Sequence, residues 1–169
     1  MKFMAISKAT KDSEAGVWPT PEQMTTMMKY HEEMVKAGVL LAAEGVWPSS
    51  KGARVRFSGT KRTVIDGPFT ETKELIAGFW LLQVRSKEEA IEWVKRMPNI
   101  SREDSEIEIR QVFGGEDFGL LTPEVNEQLA QLHEDAARAA TAAGDHQLAA
   151  GLERDAQEGR LHAKKADAR

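Results

Sequence analysis

Apolar and polar positions alternate at the start of the chain. Lys2–Ala9 carries either Phe3 with Ala5 or Met4 with Ile6 on its buried side, which predicts a first strand. A turn-rich stretch, Lys11–Pro19, separates it from a strong helix signal. Thr20 is an N-cap, Pro21 fits the first helical position and Gln23 completes a capping box. Met24, Met27, Met28, His31, Met34 and Val35 recur at three-and-four spacing, predicting one apolar face, and Gly38 supplies the stop. Val39–Trp47 is an apolar run interrupted by Glu44. Arg54–Ser58 and Arg62–Ile65 flank Gly59-Thr60-Lys61 as a hairpin, and Asp66-Gly67-Pro68 is a turn. Gly78–Arg85 is the strongest strand signal. Ser86 and Glu89 open a second helix whose Ala90, Ile91, Val94 and Met97 face inward until Pro98. Glu106–Phe113 reads as a half-solvated last strand.

This order predicts an α+β fold with two helices on one face of a mainly antiparallel sheet. The other face would be left bare, and a second copy is the simplest cover, so a homodimer is expected. After Gly119 the composition changes. Thr122-Pro123 restarts a helix with a Val125, Leu129, Leu132 and Ala136 stripe, Gly144-Asp145 breaks it, a weaker helix runs to about Glu158, and Gly159–Arg169 looks frayed. The expected division is residues 1–118 as the domain and 119–169 as a C-terminal helical arm.

Composition narrows the function. The 169 residues are 41% apolar and 30% charged, which suits a folded globular chain. Lys plus Arg number 23 against 27 Asp plus Glu, a net charge of -4, so no nucleic-acid partner is expected. No apolar run approaches the roughly 20 residues that span a bilayer, and no export signal is read in MKFMAISK, so no membrane partner and a cytoplasmic location are expected. Cysteine is absent, which excludes thiolate chemistry and disulfides. Metal and nucleotide motifs are not found, so no metal or cofactor is expected, and His133, His146 and His162 are expected to be exposed.

Three residues can carry chemistry. His31 shares the helix stripe with Met27 and Val35, and imidazole titrates near neutrality, which suits proton transfer; the alternative is a histidine bonded to a carbonyl. Glu44 lies on the strand face of Leu40, Ala42 and Val46, where desolvation would raise its pKa, unless that face looks outward. Asp66 opens a ten-residue segment dense in acidic, hydroxyl and basic groups beside an aromatic strand, although an Asp in such a turn often serves its own backbone. Trp18, Trp47 and Trp80 are candidate pocket walls or core material.

The segment Asp66-Gly67-Pro68-Phe69-Thr70-Glu71-Thr72-Lys73-Glu74, followed by Gly78-Phe79-Trp80, resembles the YCII-related, or DGPF-domain, family. Ala37–Leu41, Glu44-Gly45 with Pro48, Glu89–Trp93 and Ile107–Val112 share the likeness, which spans about Met1 to Phe118 and reaches toward Leu121–Glu124. The resemblance implies a ferredoxin-like fold that dimerises into an α/β barrel. It also implies a His and Asp pair in a cleft, relatives that act on small aromatic or lactone-like compounds, and genes beside extracytoplasmic-function sigma factors. Carried over, the pair is His31 with Asp66, or with Glu44 in its place, and Trp47, Trp80, Phe69 and Lys73 are the ligand-binding candidates. Two functions follow. One is a small dimeric, enzyme-like or ligand-binding protein doing His/carboxylate acid–base chemistry on a small organic molecule. The other is a non-catalytic regulatory or protein-interaction module linked to such a sigma factor, with the Leu129/Leu132 stripe as its docking surface.

Overall fold

The computed structural model describes residues 1–70, 74–101, 104–114 and 122–167. Its elements in chain order are β1 (Lys2–Lys8), α1 (Lys11–Glu14), α2 (Pro21–Lys36), β2 (Leu40–Gly45), β3 (Ala53–Ser58), β4 (Lys61–Asp66), β5 (Ile76–Gln83), α3 (Lys87–Lys95), β6 (Ile107–Gln111), α4 (Pro123–Ala142) and α5 (His146–Asp167). They pack as two compact units, Phe3–Arg110, and Met1–Lys2 with Gln111–Arg169.

Four strands make the main sheet in the order β2-β5-β1-β6, and β3 pairs with β4 in a separate two-stranded sheet. With α2 and α3 as the crossovers, the main sheet has the β-α-β-β-α-β connectivity and strand order of a ferredoxin-like α+β fold. Period-two alternation in β1 sends Phe3 and Ala5 to the core and leaves Met4 and Ile6 half-buried on the other face. Tyr30 and Met34 of α2, Val39, Leu40, Leu82, Val84 and Ala90 complete the cluster.

Helix α2 starts and stops where the sequence predicts. Thr20 and Gln23 exchange capping bonds, and Gly38 takes the left-handed conformation, at φ 70°, that ends the helix. Its buried face is rotated from the expected one, however. Met27, Tyr30 and Met34 are inside, whereas Met24, Met28 and Val35 are exposed. The physical reason is Tyr30, whose ring packs on Trp93 of α3 and whose hydroxyl donates to the Trp93 carbonyl at 2.5 Å. The stretch read as turn-rich contains α1, capped by Thr10 and Ser13 in a reciprocal box that supplies the hydrogen bonds a short helix lacks. At α3, Ser86 caps Glu89 as predicted, but the Glu89 carboxylate turns to the backbone and guanidinium of Arg85.

The β3–β4 hairpin turns at Gly59, whose φ of 55° favours glycine. Val55 faces Val64 across it, and Arg62 covers the opposing Phe57 ring at 4.4 Å, although Phe57 stays 70% exposed.

In the second unit α4 and α5 pack on each other through alanines. Ala130, Ala137 and Ala140 of α4, with Asn126, are buried, as are Ala149, Ala156 and Ala163 at seven-residue spacing on α5. The expected stripe is therefore not the buried one: Leu132 is 63% exposed and Val125 is exposed too. Small residues let two helices approach closely, so the alanine rows outcompete a narrow leucine stripe. Helix α5 also runs on to Asp167 instead of fraying after Glu158, because Ala163 continues that row.

Candidate functional site

His31 sits where α2 crosses the sheet, opposite Trp80 in the middle of β5. Trp80 is paired with Ala43 of β2, and both lie against the core on the helix-covered face. The Trp80 indole Nε1–H donates to His31 Nε2 at 2.8 Å, and the rings meet edge-on, 6.4 Å apart at 67°. Burial holds the His31 pKa below the usual histidine value, because a half-desolvated imidazolium is disfavoured. Among the described residues no second partner engages the ring. His31 Nδ1 is not sealed off either, since among the described residues the fully buried, unpartnered side-chain nitrogen is Nδ1 of His133. Met28 and Val35, three residues before and four after, flank His31 on the helix surface and are 54% and 50% exposed. The site is thus one polar ring edge in an apolar strip.

The carboxylates of the sequence reading lie elsewhere. Between Leu40 and Ala42 the β2–β5 register slips by one residue, so Leu40 pairs with Leu82 but Ala43 with Trp80 and Glu44 with Phe79. Directly opposed residues share a face. Glu44 is therefore on the side away from Trp80 and His31, and it is exposed. It keeps Ala42 as a face-mate and loses Leu40. Asp66 ends β4 opposite Ala53 and is exposed as well. No described hydrogen bond or ion pair brings either carboxylate to His31.

The glycine-proline turn after Asp66 is a structural knot. Gly67 N donates to the Gly52 carbonyl at 3.0 Å, and the Gly67-Pro68 peptide is cis. Phe69 N donates to Ser49 Oγ at 3.1 Å, and the Phe69 ring lies under the Arg54 guanidinium at 4.0 Å. Ser49 N and Oγ in turn donate to the Glu14 carboxylate of α1. This chain of bonds ties α1, the 48–52 turn and the end of the hairpin together. Trp47 is exposed and meets Trp18 edge-on at 5.0 Å. Lys73 lies outside the described residues. His133 is half-buried rather than exposed, His146 is exposed, and no metal-binding cluster of His, Asp or Glu occurs among the described residues. Among them, too, no helix is long and apolar enough to cross a membrane.

Sequence reasoning selected both His31 and Trp80, but it cast Trp80 as a wall and missed it as a hydrogen-bond donor. The available signal was the rule that a half-buried indole N–H finds an acceptor, with only one unused acceptor on the facing helix stripe.

The family model for the YCII-related domain matches residues 1–115. An uncharacterised protein of Rhizobium meliloti (strain 1021) is 29% identical over 102 residues, covering 59% of this chain and 82% of that protein. Among solved structures, 5-chloro-2-hydroxyhydroquinone dehydrochlorinase (TftG) from Burkholderia phenoliruptrix AC1100, in complex with 2,5-dihydroxybenzoquinone, is similar at 13% identity. It has a TM-score of 0.39 and covers 69% of this chain and 98% of its own.

Proposed function

Because the chain belongs to the YCII-related domain family, we propose that it is a small enzyme-like or ligand-binding protein in which His31 handles a proton or hydrogen bond on a small organic molecule. The observation that carries this reading is the half-buried imidazole held by Trp80, with its other ring nitrogen unengaged among the described residues. A ring oriented by one partner and open at the other edge is the arrangement acid–base work requires. The exposed Met28 and Val35 beside it suit an apolar ligand. Residues 1–118 would be the working domain, with 119–169 an extension. Asp66 and Glu44 make no described bond to the ring, so this reading rests on His31 without a carboxylate as its direct partner. Trp47, Phe69 and Lys73 remain outer candidates for ligand contact. The half-buried Met4, Ile6, Phe79 and Leu81 on the outer sheet face support a homodimer across that face.

Titrating a panel of small phenols, lactones and cyclic ketones into 15N-labelled protein tests the reading. At least one member is expected to shift both the Trp80 indole and the His31 ring signals, and His31→Gln is expected to weaken that ligand about tenfold. A panel that leaves both signals still, or binds His31→Gln equally well, overturns it.

The lowered pKa also predicts a pH effect on stability. The folded chain resists protonation of His31 more than the unfolded chain does, so stability is complete above the unfolded value of 6.5 and is lost as pH falls through the lower folded value. Urea midpoints are expected to drop more steeply between about pH 7 and about pH 5 in the parent than in His31→Gln. Parallel curves would show that the ring is no more desolvated than in the unfolded chain.

A further inference from the structure

We propose that Trp80 is a positioning residue that fixes His31 as an Nδ1–H hydrogen-bond donor, so that the site takes small apolar molecules carrying an acceptor oxygen, a carbonyl or a phenolate. This rests on the reading of His31 as the working group and goes further by assigning its polarity. An indole Nε1–H can only donate. The nitrogen that receives it, His31 Nε2, must therefore present its lone pair. A neutral imidazole carries one proton, so that proton is on Nδ1. Nδ1 is the edge with no described partner and is not fully buried. What it offers a ligand is a donor, not a lone pair.

The surroundings agree with this assignment. Protonating the ring would place a second N–H against the indole N–H, donor facing donor, and that clash adds to the burial that already favours the neutral form. Among the described residues no carboxylate bonds to Nδ1, so none of them uses the donor. Met28 and Val35 on either side make no hydrogen bonds with their side chains and favour an apolar body. A ligand seated there with its oxygen toward Nδ1 satisfies the one polar atom of the strip. A ligand that presents an N–H or ammonium to the same nitrogen leaves two donors facing each other, which is costly in a half-desolvated site. Polarity alone thus separates acceptors from donors of the same size. Neutral histidine as a donor to a developing oxyanion is a recognised electrophilic role.

The test is long-range 1H–15N NMR of the histidine rings in the full chain at about pH 8, above the ordinary histidine range. The expected His31 pattern is a protonated Nδ1 and an unprotonated Nε2, with coupling across the hydrogen bond between Trp80 Nε1 and His31 Nε2. Trp80→Phe is expected to leave a mixture of tautomers and abolish that coupling. The parent spectrum decides the tautomer even if Trp80→Phe fails to fold. The probes are 4-nitrophenolate and 4-nitrobenzylamine. The phenolate is expected to shift Nδ1 and to bind at least about tenfold more tightly than the amine. An Nε2-protonated ring, or preference for the amine, overturns the donor assignment while leaving His31 as a ligand site. If neither probe moves the ring although the tautomer is as stated, the acceptor-oxygen class falls, and an unresponsive wider panel takes the ligand-site reading with it.

Discussion

Gly67→Ala is expected to destabilise the chain by about 3 kcal/mol or more, at the severe end of single substitutions. An alanine Cβ at this position would lie 1.8 Å from the carbonyl oxygen of Ser49 and 2.7 Å from its carbonyl carbon. Both are backbone atoms and cannot swing aside like the end of a side chain. Relieving the overlap means parting the turn from Ser49, and with it the bonds from Gly67 N to Gly52 and from Phe69 N to Ser49 Oγ. Gly59→Ala is the natural comparison, because a Cβ there meets nothing within 4 Å and only its φ of 55° is unfavourable. That change should cost about 1 kcal/mol. Urea midpoints of the two variants measure the difference. Equal midpoints would show that the Ser49 contact does not constrain the turn.

Phe3→Ala should cost about 3–5 kcal/mol. Phe3 is 1% exposed and sits among Tyr30, Met34, Leu82 and Ala90, so truncation removes a full aromatic side chain and leaves a cavity that strands on both sides resist closing. Phe57→Ala, on the exposed hairpin, loses mainly the stacking with Arg62 and should stay within about 1 kcal/mol. Thermal unfolding of the two variants beside the parent checks both numbers. A Phe3→Ala protein as stable as Phe57→Ala would contradict the placement of β1 against the helices.

Local chemistry made the framework legible. The Thr20–Gln23 box, the Gly38 stop, the Ser86 cap and the alternation in β1 each act within a few residues, and the sequence reading placed each of those elements correctly. Properties set by partners far away in the chain were not legible. The inward face of α2 depends on the bond from Tyr30 to Trp93, sixty-three residues on. The α4 and α5 faces depend on how closely alanine rows permit two helices to approach, and leucine spacing is silent on that. At the candidate site, His31 was marked by residue type and Trp80 as a wall, but the bond between them was not foreseen. Stripe membership puts a ring near a sheet without saying which strand residue it meets. Asp66 drew attention by sitting in a distinctive segment, yet within its described part it is Gly67 that the fit of the turn against Ser49 and Gly52 accounts for.

The slip in the β2–β5 ladder has a consequence for how this site could change. Leu41 is the extra residue of the slip, and beyond it Ala42 stands opposite Leu81, Ala43 opposite Trp80 and Glu44 opposite Phe79, so the β2 position that shares the helix-covered face with Trp80 is 43 and not 44. A carboxylate on the imidazole's side of β2 is therefore one substitution away, at Ala43, with no change in chain length. Substitution at position 44 explores only the outer surface, so an inherited or engineered shift from a lone donor to an acid–imidazole couple would be recorded one residue earlier, at position 43.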